Sequence, residues 1–256
     1  FRSGLGKTLQ VITLLQKLKN NSTITLKKPA VVIVPTALLF NWTKEIERFA
    51  PTLSSSIYHG PNRDLAQCNT EIILTTYGVT RSDNDKIKKL KPSVLIIDEA
   101  QNIKNISTEQ TKAIKSISAP IKIAMSGTPI ENRLSEFWSI MDFTNKGFLG
   151  NIKNFNAEFS KPIQTNGDEN VAMRFRKITS PFLMRRLKTD KNIISDLPDK
   201  IEINEYASLT KEQTSLYEQT VQEAMKTIEG VEQTDSKSLF KRRSEERRVG
   251  KECRSR

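Results

Sequence analysis

The chain has few of the residues that staple a fold covalently or through metal. Only two of its 256 residues are cysteines, Cys68 and Cys253, far apart and without CxxC spacing. That excludes a disulfide framework and a cysteine zinc site, and makes a reduced, cytosolic compartment the default reading. Cys68 reads as a small apolar residue. The single histidine, His59, reads as a loop or partly buried residue rather than a catalytic base. No run approaches the roughly 18 uninterrupted apolar residues that cross a membrane, and the start is no signal peptide. Internal repeats and native low-complexity segments are also missing. Positive charge is what abounds, with a net +12 that suggests a polyanionic partner.

Part of that charge sits in the flanks. The segment from Arg243 to Arg256 lacks apolar periodicity and resembles a translated sequencing adapter. One codon reading of Arg243-Ser244-Glu245, AGA TCG GAA, has the reverse complement TTC CGA TCT. That string encodes Phe-Arg-Ser, the residues Phe1-Arg2-Ser3 that open the chain. The expectation is native sequence from Gly4 to about Arg242, with 1–3 and 243–256 excluded from the fold. A disordered basic tail that binds nucleic acid is the alternative. Without the flanks the net charge is about +8, still basic. High lysine, asparagine and isoleucine usage, with the adapter-like flanks, hints at a bacterial source; the expected location is cytoplasmic and nucleoid-associated.

Between the flanks, short apolar runs alternate with helical periodicity. Val11, Ile12, Leu14, Leu15 and Leu18 recur at helical spacing. Ala30 to Val34, ended by Pro35, is a β-branched run that reads as a buried parallel strand. Glu71 to Thr75, Val94 to Asp98 and Ile121 to Met125 read the same way. Leu38, Leu39, Trp42, Ile46 and Phe49 fall on one helical face closed by Pro51, and Thr108 to Ser116 predicts a helix capped by Ser107. Strands alternating with helices over about 140 residues predict an α/β fold with a doubly wound, mostly parallel sheet. Beyond Met125 the chain turns mainly helical, with a stripe of Leu134, Phe137, Trp138 and Met141. A loop is expected from Lys161 to Asn170 and a strand within Lys200 to Ser208. A helix is expected from about Lys211, with Tyr217, Val221, Ala224, Met225 and Ile228 on one face.

Two strings carry the chemistry. Gly4-Leu5-Gly6-Lys7-Thr8 reads as the end of a phosphate-cradling loop, whose backbone N–H groups and following helix N-terminus surround phosphates. Glycine is needed there because side chains block the approach. Lys7 supplies charge to the β- and γ-phosphates, and the Thr8 hydroxyl ligates magnesium. Asp98-Glu99 stands at the carboxyl end of a buried strand, where ligands sit in such sheets. Asp98 holds magnesium through water, and Glu99 orients and deprotonates the attacking water. The alternative for this pair is an acidic helix start that serves the dipole. Lys86, Lys88, Lys89 and Lys91 read as a solvated face, with a DNA contact as the alternative.

The wider motif set resembles the first ATPase lobe of Swi/Snf-type superfamily-two helicases. The resemblance rests on Gly4 to Gln10, Val34-Pro35-Thr36 with Asn41-Trp42 and Glu45, and Leu74-Thr75-Thr76-Tyr77. It rests further on Asp98-Glu99-Ala100-Gln101-Asn102-Ile103-Lys104-Asn105 and Ser126-Gly127-Thr128-Pro129-Ile130-Glu131-Asn132, in matching order and spacing. Pro181 to Asp190 is similar to the segment that leaves that lobe for the second.

The resemblance implies a RecA-like lobe over 4–145 and a helical extension and linker over 146–242. The site it implies uses ATP and Mg2+, with Gly4, Leu5, Gly6, Lys7, Thr8, Leu9 and Gln10 at the nucleotide, Thr8 and Asp98 at the metal, and Lys7 and Glu99 as catalytic. Ser126, Gly127 and Thr128 would couple phosphate state to DNA. Pro35, Thr36, Thr76, Tyr77, Asn102 and Lys104 would face the backbone of duplex DNA, in sequence-tolerant, salt-dependent binding; strand-to-helix capping is the local alternative for the short hydroxyls.

The implied activity is a DNA-dependent ATPase that translocates on duplex DNA and acts on a DNA-bound protein. The alternatives are a nucleotide-switched protein-binding module and a strand-separating helicase. The acidic residues and methionine that usually precede the glycine loop are absent, as is the second lobe with its arginine fingers. Weak ATP binding and almost no hydrolysis are therefore expected of the chain alone.

Overall fold

The structure, a computed structural model, describes residues 6–127, 133–184 and 210–229, the side chains of 226–229 excepted. The chain divides into two compact units, Phe1–Ser195 and Asp196–Arg256. In the first, helix α1 (Lys7–Asn20) leads to strand β1 (Ala30–Val34), helix α2 (Leu39–Phe49), strand β2 (Ser55–Tyr58) and strand β3 (Ile72–Thr76). Two short helices follow, α3 (Tyr77–Ser82) and α4 (Asn84–Lys89). Then come β4 (Val94–Ile97), α5 (Glu109–Ser116) and β5 (Ile121–Ala124). The strands form one parallel sheet in the order β2-β3-β1-β4-β5, with Ala30 of β1 opposite Ile72 on one side and Val94 on the other.

The sheet is covered on both faces, which is why its central strands read as unbroken apolar runs rather than alternating ones. Alternation decides only which layer each side chain joins. Val32, Val34, Leu74 and Ile96 pack against Ile12 and Leu15 of α1 and Trp42 and Ile46 of α2. Val31, Ile33, Ile73, Leu95 and Ile97 pack on the other side against Ile87, Ile114 and Phe143. The expected doubly wound α/β arrangement is therefore present.

Helix α6 (Leu134–Thr144) begins the helical extension, which continues through α7 (Ile152–Phe155), a π-turn over Asn156–Ser160, α8 (Lys161–Asn166) and α9 (Glu169–Thr179). Its core is aromatic: Phe137, Phe155, Phe159 and Phe175 meet with ring centroids 5.4–5.9 Å apart. Helix α6 joins this cluster to the sheet layer. Ile140 and Phe143 face the sheet while Phe137 and Met141 face the aromatic cluster. The second unit contributes α10 (Lys211–Glu229), as the periodicity expects. It opens with a reciprocal cap in which Gln213 N–H donates to Thr210 Oγ1 and Thr210 N–H to Gln213 Oε1.

Several expectations are corrected. The loop foreseen from Lys161 to Asn170 is α8, a tight turn and the start of α9. Pro162 sits at the start of α8, which follows directly on the π-turn. Gly167 at φ 64 ends that helix, and Asp168 caps α9 by accepting from Val171 N–H at 3.0 Å. Helix α5 is capped by Thr108, whose Oγ1 accepts from Thr111 N–H. Ser107 instead donates to Asn105 Oδ1 at 2.7 Å. Phe49 is 45% exposed, because Ala50 and Leu53 turn in beneath the sheet in its place. Strand β2 was not foreseen: it is a short edge strand with half-buried serines and an exposed Ile57. The strand expected within Lys200 to Ser208, most of Pro181 to Asp190 and both flanks lie outside the described residues.

Candidate active site

Gly6 adopts φ 70, ψ 26, left-handed geometry that glycine reaches without strain, and its carbonyl accepts from Gln10 N–H at 3.0 Å to open α1. No acidic residue lies in the first turn of α1 and no side chain caps it. With no carboxylate in its first turn, the positive end of the helix dipole suits an external anion. The Lys7 ammonium lies beside Gly127, 3.7 Å from where a β-carbon on that glycine would stand. Gly127 follows β5, so the helix start and the β5 exit meet at the carboxyl edge of the sheet.

Asp98 follows β4 at the same edge and is 6% exposed. Its Oδ2 accepts from the Trp42 indole N–H at 2.9 Å and its Oδ1 from Glu99 N–H at 2.9 Å. Burial pushes the Asp98 carboxyl above the ordinary range; those two donors and the charge of Lys7 offset part of that, while the Glu99 charge adds to it. Glu99 itself adopts φ 54, ψ 57, a left-handed conformation that costs a non-glycine residue about 1–2 kcal/mol. Its carbonyl is held there by Asn102 N–H at 3.0 Å, Asn102 Nδ2 at 2.8 Å and the Tyr77 hydroxyl at 3.3 Å. Tyr77 also donates to the Asp98 carbonyl at 2.6 Å, and burial drives its hydroxyl pKa far above the ordinary phenol value.

A side-chain relay extends from Glu99. Gln101 Nε2 donates to Glu99 Oε2 at 2.8 Å, and Ser126 Oγ donates to Gln101 Oε1 at 2.9 Å. Backbone bonds hold this edge rigid: Met125 N–H to Ile97 O at 2.9 Å, and Ala100 N–H to Met125 O at 2.8 Å. Three segments widely separated in sequence therefore bring an ammonium, a buried carboxylate, a second carboxylate and a hydroxyl to one rim.

The SNF2-related domain family matches this chain over residues 2–255. The chain belongs to that family. A solved structure with the same fold, the Sulfolobus solfataricus SWI2/SNF2 ATPase core in complex with dsDNA, aligns at a TM-score of 0.69 with 42% identity. That match covers 92% of this chain and 49% of the other. The Bacillus subtilis protein YwqA, named for an ATP-dependent helicase/translocase, is 39% identical over 243 residues, 93% of this chain and 26% of YwqA. The TATA-binding protein-associated factor mot1 of Schizosaccharomyces pombe is 33% identical over 83% of this chain and 12% of its own length. The chain thus spans about a quarter of YwqA and about half of the Sulfolobus core. Its RecA-like sheet is that of an SNF2-type ATPase lobe.

Within this SNF2-type lobe, Gly6, Lys7, Asp98, Glu99, Ser126 and Gly127 gather at the rim, with Thr8 and Gln10 in the first turn of α1 and Leu9 exposed beside them. Gly4, Leu5 and Thr128 lie outside the described residues. The residues expected to face DNA divide. Thr36 is exposed and Pro35 half-buried in the turn after β1, and Asn102 is exposed. Lys104 lies 3.8 Å from Glu136. Thr76 is 3% exposed and caps α3, accepting from Val79 N–H, so the capping alternative describes its hydroxyl. Tyr77 is 6% exposed with its hydroxyl turned inwards, which leaves only its backbone for an outside partner. His59 is exposed and within 3.3 Å of Thr76 Oγ1 through Nδ1. Lys86 and Lys88 pair loosely with Asp83 and Asp85 at 3.9 and 3.6 Å, in keeping with a solvated face. Sequence reasoning missed Trp42 and Gln101 as site residues. An Asn-Trp pair on an amphipathic helix reads as core, and nothing local says where the indole N–H points.

Proposed function

We propose that the chain is the ATP-binding lobe of a DNA-dependent ATPase that moves along duplex DNA. The observation that carries this reading is the convergence of Lys7, Asp98, Glu99 and Ser126 on one edge of the parallel sheet, where helix α1 begins. The nucleotide's phosphates would lie against the α1 N-terminus and the Lys7 ammonium, with Gly4 to Gln10 around them. Glu99 would orient and deprotonate the attacking water. Gln101 would pass its position to Ser126, Gly127 and Thr128.

The donor set fits magnesium. Among the described residues no group of three or more His, Cys, Asp or Glu side chains could hold a metal alone. Magnesium on a nucleotide needs no such group, since phosphate oxygens and waters fill most of its sphere. Asp98 and the Thr8 hydroxyl would supply the protein's share. When bound, the ion would neutralise charge on the phosphates.

Duplex DNA would lie along Pro35, Thr36, the Thr76–Tyr77 backbone, Asn102 and Lys104, held mainly by its phosphates. The basic balance, about +8 without the flanks, and the DNA-bound state of the Sulfolobus core support that partner. Residues 4–145 would form the lobe proper, and 146–242 its extension towards a second lobe.

The reading is tested by titrating a fluorescent ATP analogue and measuring phosphate release with and without duplex DNA. The second measurement is made on the chain joined to a second ATPase lobe. Nucleotide binding lost in Lys7→Ala, and hydrolysis stimulated by duplex DNA, are the expected results. Nucleotide binding with no response to DNA would favour a nucleotide-switched protein-binding module instead.

A further inference from the structure

The chain has two tryptophans, and they satisfy their indole N–H groups differently. A buried indole N–H needs an acceptor, and a backbone carbonyl is sufficient. Trp138 uses one, donating to Gly150 O at 3.1 Å. Trp42, 2% exposed and packed between α2 and the sheet, donates instead to Asp98 Oδ2 at 2.9 Å, across 56 residues of sequence. The other oxygen, Oδ1, takes Glu99 N–H at 2.9 Å. A carboxylate offers about four lone-pair sites, so two donors from different elements fix its plane and leave lone pairs for a further partner. One donor belongs to the adjacent backbone. The other depends on where α2 sits, and α2 is joined to β1 through the Pro35–Thr36 turn.

We propose that Trp42 is a positioning residue: its indole N–H sets the orientation of the Asp98 carboxylate, so that divalent-metal affinity at the nucleotide depends on the placement of α2. This rests on the reading of Asp98 as the metal-facing carboxylate. Because α2 follows the turn assigned to DNA, a shift of that turn reaches the metal side of the site through one hydrogen bond. No path through the glycine loop or Ser126 is required.

Trp42→Phe keeps a buried ring and removes the donor. On the 256-residue chain, Mn2+ binding in the presence of a non-hydrolysable ATP analogue is followed by electron paramagnetic resonance. A lost hydrogen bond to a charged group predicts Mn2+ affinity weakened about tenfold in Trp42→Phe. Affinity for the analogue in EDTA should change less than about twofold, because the phosphate contacts are untouched. In the unaltered chain, Mg2+ added to the analogue complex should move the Trp42 indole 1H–15N resonance and leave that of Trp138 in place. Unchanged Mn2+ affinity in a folded Trp42→Phe chain overturns the proposal, as does a Trp42 resonance indifferent to Mg2+. If Trp42→Phe does not fold, the resonance of the unaltered chain decides alone. Failure of the unaltered chain to bind analogue or Mn2+ overturns the site reading itself, and the proposal with it.

Discussion

The sheet lobe and the helical extension are built from different materials, and the contrast separates chemistry from support. Around the sheet the core is mostly aliphatic, and the carboxyl edge buries Asp98, Thr76 and Tyr77 with partners. That edge also contains Glu99 in a left-handed conformation held by three donors to its carbonyl. The extension has no comparable concentration. Its core gathers four phenylalanine rings with Leu134, Trp138 and Met141, and α6 seams it to the lobe through Ser139 Oγ to Ile103 O at 2.6 Å and Lys115 to Asp142 at 2.9 Å. At the rim the left-handed Glu99 stands next to the buried Asp98, a pairing of strain and buried charge that marks the region with work to do, while apolar packing marks the region that holds it.

This division can be broken by experiment. The largest effect is expected at Glu99. Glu99→Gln should lower DNA-stimulated phosphate release by about a hundredfold to ten-thousandfold, with nucleotide affinity retained. Its melting temperature should stay within a few degrees of the parent; a stability loss in place of a rate loss would contradict the division. In the extension the pattern should reverse. Phe175→Ala empties the centre of the aromatic cluster and should cost about 3–5 kcal/mol in urea unfolding, while the folded fraction binds nucleotide as before. Gln101→Ala cuts the relay between Glu99 and Ser126. A loss of about tenfold in hydrolysis is expected, with nucleotide affinity unchanged when titrated in parallel. The smallest effect is expected within the sheet lobe but outside the rim, at Asp83 between α3 and α4. Arg63 Nε and the Tyr58 hydroxyl donate to it at 2.7 and 2.6 Å, holding its carboxyl below its ordinary 3.8; burial and Asp83 push Tyr58 up to about 12. A depressed folded pKa confers stability at neutral pH that is lost as pH falls through that pKa. Asp83→Asn should therefore melt a few degrees lower at pH 7, and the gap should close below about pH 3.8, followed by thermal melts across pH.

Legibility differed between the same two regions. Val31 to Val34 and Val94 to Ile97 are strands on any reading, because a β-branched run bounded by turns leaves few other ways to bury it. The acidic pair at the end of one such run located the rim. The extension was harder to read, since Pro162 and Gly167 look like loop residues until one is seen to start a helix and the other to end it. Strand β2 was hidden because an edge strand with Ser55 and Ser56 has no buried face on one side to impose a pattern. Phe49 misled for the opposite reason: helical spacing put it inside, and the inward turn of Ala50 put it outside.

The sequence by itself determined the α/β class, the helix-start glycine with Lys7, and the carboxylates at the end of β4, because each depends on residue type and spacing over a few positions. It could not assign the partners of those groups. That Trp42 reaches Asp98, that Gln101 bridges Glu99 to Ser126, and that Tyr77 turns its hydroxyl inwards were decided by strand order alone. With β4 placed between β1 and β5, α2, the end of β4 and the end of β5 converge on one edge. Hydrogen bonds act only over about 3 Å. Which donors meet which carboxylate is therefore a property of the assembled sheet, and no local pattern encodes it.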